Sequence, residues 1–154
     1  MTTGASSTDF EMIAPVRGGA HARQFAEVVA LRVTGEGFLT RQEEAVLLEL
    51  GIRDFGLTLA EARLILHGVA EQHDAPTERA VERTLVQLLR ASAGRSRKVG
   101  REQFRQAVRV YSAQAGSVMA PSAIERRVKA LMEEQGLEPR RAGLLRLRRW
   151  YHKI

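Results

Sequence analysis

The stretch TLAEARLILHGVA, Thr58–Ala70, decides the fold. Thr58 is a residue type that caps helix N-termini, and Glu61 follows three positions on, so the pair forms a capping box. Leu59, Ala62, Ile65, Leu66, Val69 and Ala70 then recur at helical spacing and fall on one apolar stripe. A stripe of that width needs a partner surface, which implies helices packed on helices.

The same start signal appears on both sides. Thr40 with Glu43 opens a helix over 41–50 that Gly51 closes, and Ser122 with Glu125 opens one over 123–135 that Gly136 stops. Apolar periodicity places another helix over 20–33, with Phe25, Val28, Val29 and Leu31 inward, ended by Thr34-Gly35-Glu36-Gly37. Asp74-Ala75-Pro76 opens a helix over 76–92 that turns Val81, Leu85, Leu88 and Leu89 inward. Phe104, Val108 and Tyr111 seam a helix over 100–114, and Pro139 starts a last one over 139–152. No segment alternates apolar and polar residues long enough for a sheet. The expectation is an all-α fold, a compact bundle of about seven short helices. Residues 20–154 form one helical domain, and residues 1–19, rich in Thr, Ser, Gly and Ala, form a flexible arm.

The chain of 154 residues is long enough for a real core. It has no cysteine, which excludes disulfides, thiolate metal sites and a cysteine nucleophile. No apolar run spans a bilayer and no signal sequence is evident, so a cytoplasmic location is expected. No phosphate-cradling glycine loop or nucleophile motif appears, so neither an enzyme nor a cofactor is expected.

Charge is the main functional clue. Residues 1–78 hold 6 Arg/Lys against 12 Asp/Glu, and residues 79–154 hold 18 against 6. Such a dipolar chain draws polyanions to its second half. Arg101, Arg105 and Arg109 recur every four residues and form a row on one helix. Arg95, Arg97 and Lys98 precede them, and Glu102 is the single acid between 95 and 109. Cations one turn apart can meet successive phosphates and release counterions. The tail adds Arg140, Arg141, Arg146, Arg148, Arg149 and Lys153, with Trp150 and Tyr151 interleaved. Tyr151 shares a face with Leu144 and Leu147 and reads as core, whereas Trp150 is left open between plugging the core and base stacking.

The segment Gly35–Gly51, GEGFLTRQEEAVLLELG, resembles the second half of an EF-hand, with Gly37, Leu39, Thr40 and Glu43 at the matching places. Counting back from Gly37, however, Arg32 stands at the first ligand position, Thr34 at the third and Glu36 at the fifth, and a cation there opposes Ca²⁺. A second echo lies at Val99–Phe104, about 60 residues on. Two such units separated by a helical pair resemble the TerB-like (tellurite-resistance) helical family over residues 20–114. That resemblance implies an accessory role in stress or membrane-linked complexes and offers only Glu36 and Glu43 as ligands.

Three further patterns are present. Helices over 123–135 and 139–152, joined at Gly136, could form a helix-turn-helix. Leu144, Leu145, Leu147 and Trp150 could lay the basic tail on anionic lipid. His67, Glu71 and Asp74, with His73 nearby, could seat a metal on one helix face. The residues carrying most weight are Arg97, Lys98, Arg101, Arg105, Arg109, Arg146, Arg149, Lys153 and Trp150, as contacts to nucleic-acid phosphate and bases. The expected partner is DNA or RNA bound without strict sequence preference. The acidic half is left for a protein partner or for self-association, and the alternative is an interaction module that binds no nucleic acid.

Overall fold

The computed structural model describes residues 19–140 and 149–154. They form seven helices: α1 (Gly19–Glu36), α2 (Arg41–Arg53), α3 (Leu59–Gln72), α4 (Glu78–Ala93), α5 (Arg101–Ala115), α6 (Pro121–Glu134) and α7 (Arg149–His152). The all-α class therefore holds. The proposed arm and Arg146 lie outside the described residues, apart from Gly19, which opens α1.

Helix starts are set by the caps where a side chain can reach back. Thr40 and Thr58 each complete a capping box, with Glu43 and Glu61. Each such cap is worth roughly 1 kcal/mol. The box expected at Ser122 does not form, because α6 begins two residues earlier than expected, on Pro121, and Ser122 is already inside its first turn. In the same way α4 starts at Glu78 under a Thr77 cap, and Pro76 is left outside.

The chain contains its own duplicate. Phe25, Val29 and Val33 are the buried residues of α1, and Leu85, Leu89 and Ala93, sixty positions on, are buried in α4. Glu44, Leu47 and Gly51 of α2 have Phe104, Ala107 and Tyr111 of α5 as counterparts at the same offset. In α3 the buried set is Ala62, Leu66, Val69 and Ala70; in α6, sixty-two positions on, it is Ile124, Val128, Leu131 and Met132. The turns match bond for bond. His73, Asp74 and Ala75 donate to the carbonyls of Val69, Glu71 and Ala70, and Gln135, Gly136 and Leu137 donate to those of Leu131, Glu133 and Met132. Unit one is α1–α2–α3–α4 and unit two is α4–α5–α6–α7, so α4 serves both. The hydrophobic cores divide accordingly, one over residues 25–75 and one centred on α4, α5 and α6, with Phe38 crossing into the second.

Short strand pairings tie each unit, against the expectation of no sheet. Leu39 bridges Thr77 in unit one. In unit two β1 (Lys98–Val99) pairs in parallel with β2 (Glu138–Pro139). The partner bonds are the same in kind: Glu78 N donates to Leu39 O at 2.8 Å, and Arg140 N donates to Val99 O at 2.7 Å. Two residues are too few to produce an alternating pattern. Pro139 therefore belongs to β2 and does not start the last helix, and the segment after Gly136 is not a helix-turn-helix turn.

Three further expectations are corrected. Gly51 does not close α2 but lies inside it, where a Cβ would stand 3.0 Å from the Phe25 ring. Leu31 is 78% exposed, because the 3.6-residue period places Val33 on the buried stripe instead. Leu59 is 44% exposed in the first turn of α3, ahead of the residues that meet α1 and α2.

A basic helix face and a mixed-charge cleft

Arg101, Arg105 and Arg109 are all exposed on α5, and Lys98 and Arg95 are exposed just before it. The four-residue spacing brings the three arginines onto one face. Glu102 is shared between Arg105 and Arg109. Its Oε1 accepts from Arg109 Nη2 at 2.8 Å, and its Oε2 stands 4.0 Å from Arg105 Nη1. The Arg109 hydrogen bond and charge hold the Glu102 carboxyl below its ordinary value. One carboxylate against three guanidinium groups leaves the face cationic.

The other candidates go elsewhere. Arg97, in a left-handed backbone conformation, donates Nη2 to Gln135 O at 2.7 Å and Nε to Gly136 O at 3.3 Å. Its charge caps the C-terminal end of α6, where carbonyls lack helical partners and a cation is favoured. Trp150 packs its ring 5.4 Å from Phe104 and 5.6 Å from Tyr151, with Nε1 buried. Of the two readings left open for Trp150 the packing favours core: the ring is partly buried against the second core. Tyr151 is buried as expected. Lys153 is exposed, Arg149 lies in α7, and Arg146 is outside the described residues.

The EF-hand-like loop carries its own cation. Arg32 Nη1 pairs with Glu36 Oε1 at 2.9 Å, and Arg32 Nη2 donates to Glu43 Oε1 at 2.5 Å. The guanidinium thus occupies both carboxylates that a metal would need. Burial pushes the Glu43 carboxyl up, but hydrogen bonds from Glu36, from the Thr40 backbone and hydroxyl, and from Arg32 outweigh it and bring it to about 2. Glu36 is raised, chiefly by its hydrogen bond to Glu43.

Charge read as surface charge is partly internal. Glu82 is buried on α4, where Arg41 and Arg127 pair with it, and Arg127 reaches on to Glu134 at 2.8 Å. Glu78 is buried beside it and accepts from Arg41 N at 2.7 Å. These are buried ions with convergent donors, which sequence spacing cannot reveal because the partners lie about forty residues apart.

Sequence reasoning also missed a cleft of about 790 Å³ lined by α2, α3, the turn after α3, α4 and Gln114 of α5. Glu44 lines it and is only 3% exposed. His67 Nε2 lies 3.7 Å from Glu44 Oε1, and Arg79 Nε lies 3.1 Å from Glu44 Oε2. The Arg79 contact is an ion pair and not a hydrogen bond, since no N–H is aimed at that oxygen, and Glu44 Oε2 is left without a donor. Arg63, Arg83, Glu71 and Asp74 complete the polar wall. The suggested metal set His67, Glu71 and Asp74 thus shares one cleft, but no group of three such ligands converges among the described residues. No helix among the described residues is long and apolar enough to cross a membrane. Neither the protein-family models, nor the curated proteins, nor the solved structures contain a match to this chain.

Proposed function

We propose that the protein is a non-enzymatic helical adaptor that holds nucleic-acid phosphate on the outer face of α5. The observation that carries the reading is the exposed row Arg101, Arg105 and Arg109, preceded by Lys98, in which Arg105 and Arg109 pair with Glu102. Row spacing of about one helical turn, roughly 5–6 Å, suits contacts to neighbouring phosphates. Backbone contacts carry no sequence information, so binding is sequence-tolerant. Fluorescence anisotropy with a labelled duplex and a labelled single strand, over a salt series, tests it. Neutralising about three phosphates gives a slope of log K against log salt of about −3 on duplex. The Arg101→Glu/Arg105→Glu variant weakens binding and flattens that slope. No binding at low salt rejects the reading.

A second reading, an interaction module that binds no nucleic acid, is favoured by one specific feature. Among the described residues the exposed large apolar side chains, Leu31, Val46, Ile52, Leu59 and Leu64, all lie on α1, α2 and α3. Exposed apolar side chains gathered in one part of a fold suit protein contact. Sedimentation analysis at low and high salt separates the two: apolar self-association persists in salt, whereas head-to-tail charge pairing weakens.

A further inference from the structure

The second unit of the fold fills a space that the first leaves open: at the sixty-two-residue offset the counterpart of Tyr151 is Leu89 of α4, and Leu89 is buried in the second core instead of the first. Tyr151 sits against α6, with Lys129 Nζ 4.8 Å from the centre of its ring and its hydroxyl donating to Glu133 Oε1 at 3.2 Å. Phe104 of α5 closes the far side, 6.5 Å from the Tyr151 ring. By the duplicate register the unit-one counterparts of Phe104, Lys129 and Glu133 are Glu44, His67 and Glu71. All three line the open cleft.

The sequence explains why the cleft is open. Ala70 and Ala75, both on its wall, stand where unit two has Met132 and Leu137, which are buried. Four methylene-sized groups or more are thus absent from unit one at this place. Glu44 is the second sign. A carboxylate only 3% exposed with one oxygen lacking a donor is costly, and at the duplicate position the second unit has the ring of Phe104 instead. The lining also differs in charge. Arg79 is paired with Glu44, but Arg63 and Arg83, which line the cleft with Glu71 and Asp74, pair with no acid among the described residues and would meet acid groups flanking an inserted side chain.

We propose that this cleft is a docking site for a tyrosine-bearing acidic peptide segment of a protein partner. The tyrosine ring enters beside His67 as Tyr151 does beside Lys129. Its hydroxyl donates to Glu71 or Glu44, and flanking acids meet Arg63 and Arg83. The site is separate from the α5 row and does not rest on nucleic-acid binding.

The test uses the full chain, ¹⁵N-labelled, titrated with acetylated Glu-Tyr-Glu amide and with Glu-Phe-Glu amide as control. The Tyr peptide is expected to shift the amides of Ala70, Ala75 and Ala80, and to bind about fivefold tighter than the Phe peptide, the ratio for one hydrogen bond. Ala75→Leu, the residue unit two uses, is expected to fill the cleft and abolish binding. Glu71→Gln, an exposed change that does not threaten folding, is expected to erase at least part of the Tyr preference and keeps the test valid if Ala75→Leu fails to fold. Arg101→Glu/Arg105→Glu is expected to leave both peptides unaffected. Absence of cleft shifts at about 5 mM peptide, the weak end of specific recognition, overturns the proposal. So does equal binding of the two peptides that neither Ala75→Leu nor Glu71→Gln alters.

Discussion

Asp74 and Gly136 hold the same left-handed backbone turn, at φ +50 and +61, sixty-two residues apart. Each ends the third helix of its unit and sends the chain into the strand pairing. Asp tolerates this region because its short side chain bonds locally, whereas a bare Cβ is penalised by roughly 1–2 kcal/mol. At Gly136 a Cβ would also stand 2.9 Å from Arg97 Nη2. Gly136→Ala is therefore expected to lower unfolding free energy by about 1–2 kcal/mol. Urea denaturation checks it, and an unchanged midpoint would contradict the turn assignment.

Gly51 gives the second prediction. In the middle of a helix a glycine ordinarily weakens it by roughly 0.5–1 kcal/mol relative to alanine. Here it admits the Phe25 ring, with Ala62 Cβ 3.1 Å from where a Cβ would be. Gly51→Val is expected to destabilise by about 1–3 kcal/mol through overpacking, despite the removal of glycine from a helix. Thermal unfolding followed by circular dichroism reads the sign directly.

Those two glycines show where the sequence was legible and where it was not. Thr40, Thr58 and Gly136 act locally, within one turn, and their roles could be read from spacing. Gly51 acts through Phe25, on another helix, and so was taken for a stop. The buried Glu82 was hidden for the same reason: its partners Arg41 and Arg127 come from two other elements. The faint echo at Val99–Phe104 was a true duplicate, but its identities had diverged, and only the burial and hydrogen-bond patterns make it plain. The cationic row on α5 was visible because a helical repeat of arginine is local. The cleft was not, since it is made by what Ala70 and Ala75 lack.

The buried network predicts a non-additive pair. Arg127 carries two acids, Glu82 and Glu134, and Glu82 is 4% exposed at its side chain. Burial alone would push the Glu82 carboxyl up, but hydrogen bonds from Arg127 and then Arg41 bring it below its usual value. Arg127→Met leaves that charge short of a partner and is expected to cost about 3 kcal/mol. Glu82→Met made together with Arg127→Met is expected to recover most of the loss, since no unpaired buried charge remains. A double-mutant cycle in urea gives the coupling; additive single losses would rule out the network.

Acid stability follows from Glu43. Its carboxyl titrates from an ordinary 4.5 when unfolded to about 2 when folded, so it contributes stability above 4.5 that is lost as pH falls towards 2. Glu36 is shifted the opposite way and offsets part of this, its contribution being present at low pH and lost as pH rises. Unfolding free energy is therefore expected to decline between pH 4.5 and 2. Glu43→Gln should make that decline shallower, with Glu82 sustaining the remainder. Equal slopes for the two proteins would show that Arg32 and Thr40 do not hold Glu43 ionised.

Arg97 and Arg101 are close in sequence and should separate completely in experiment. Arg97 donates to the last carbonyls of α6, so Arg97→Gln removes charge-assisted hydrogen bonds and is expected to destabilise the fold by about 1 kcal/mol. Its guanidinium is committed to those carbonyls, and the variant's affinity for a labelled duplex should stay within about twofold of the parent, well under one phosphate contact. Arg101 is exposed, and among the described residues no hydrogen bond holds its side chain, so Arg101→Gln should leave the urea midpoint unchanged while lowering duplex affinity and reducing the salt slope by about one. The pair of readouts decides which cations belong to the phosphate surface. If Arg97→Gln weakens duplex binding as much as Arg101→Gln does, without loss of stability, the α6 cap is not the place where Arg97 acts.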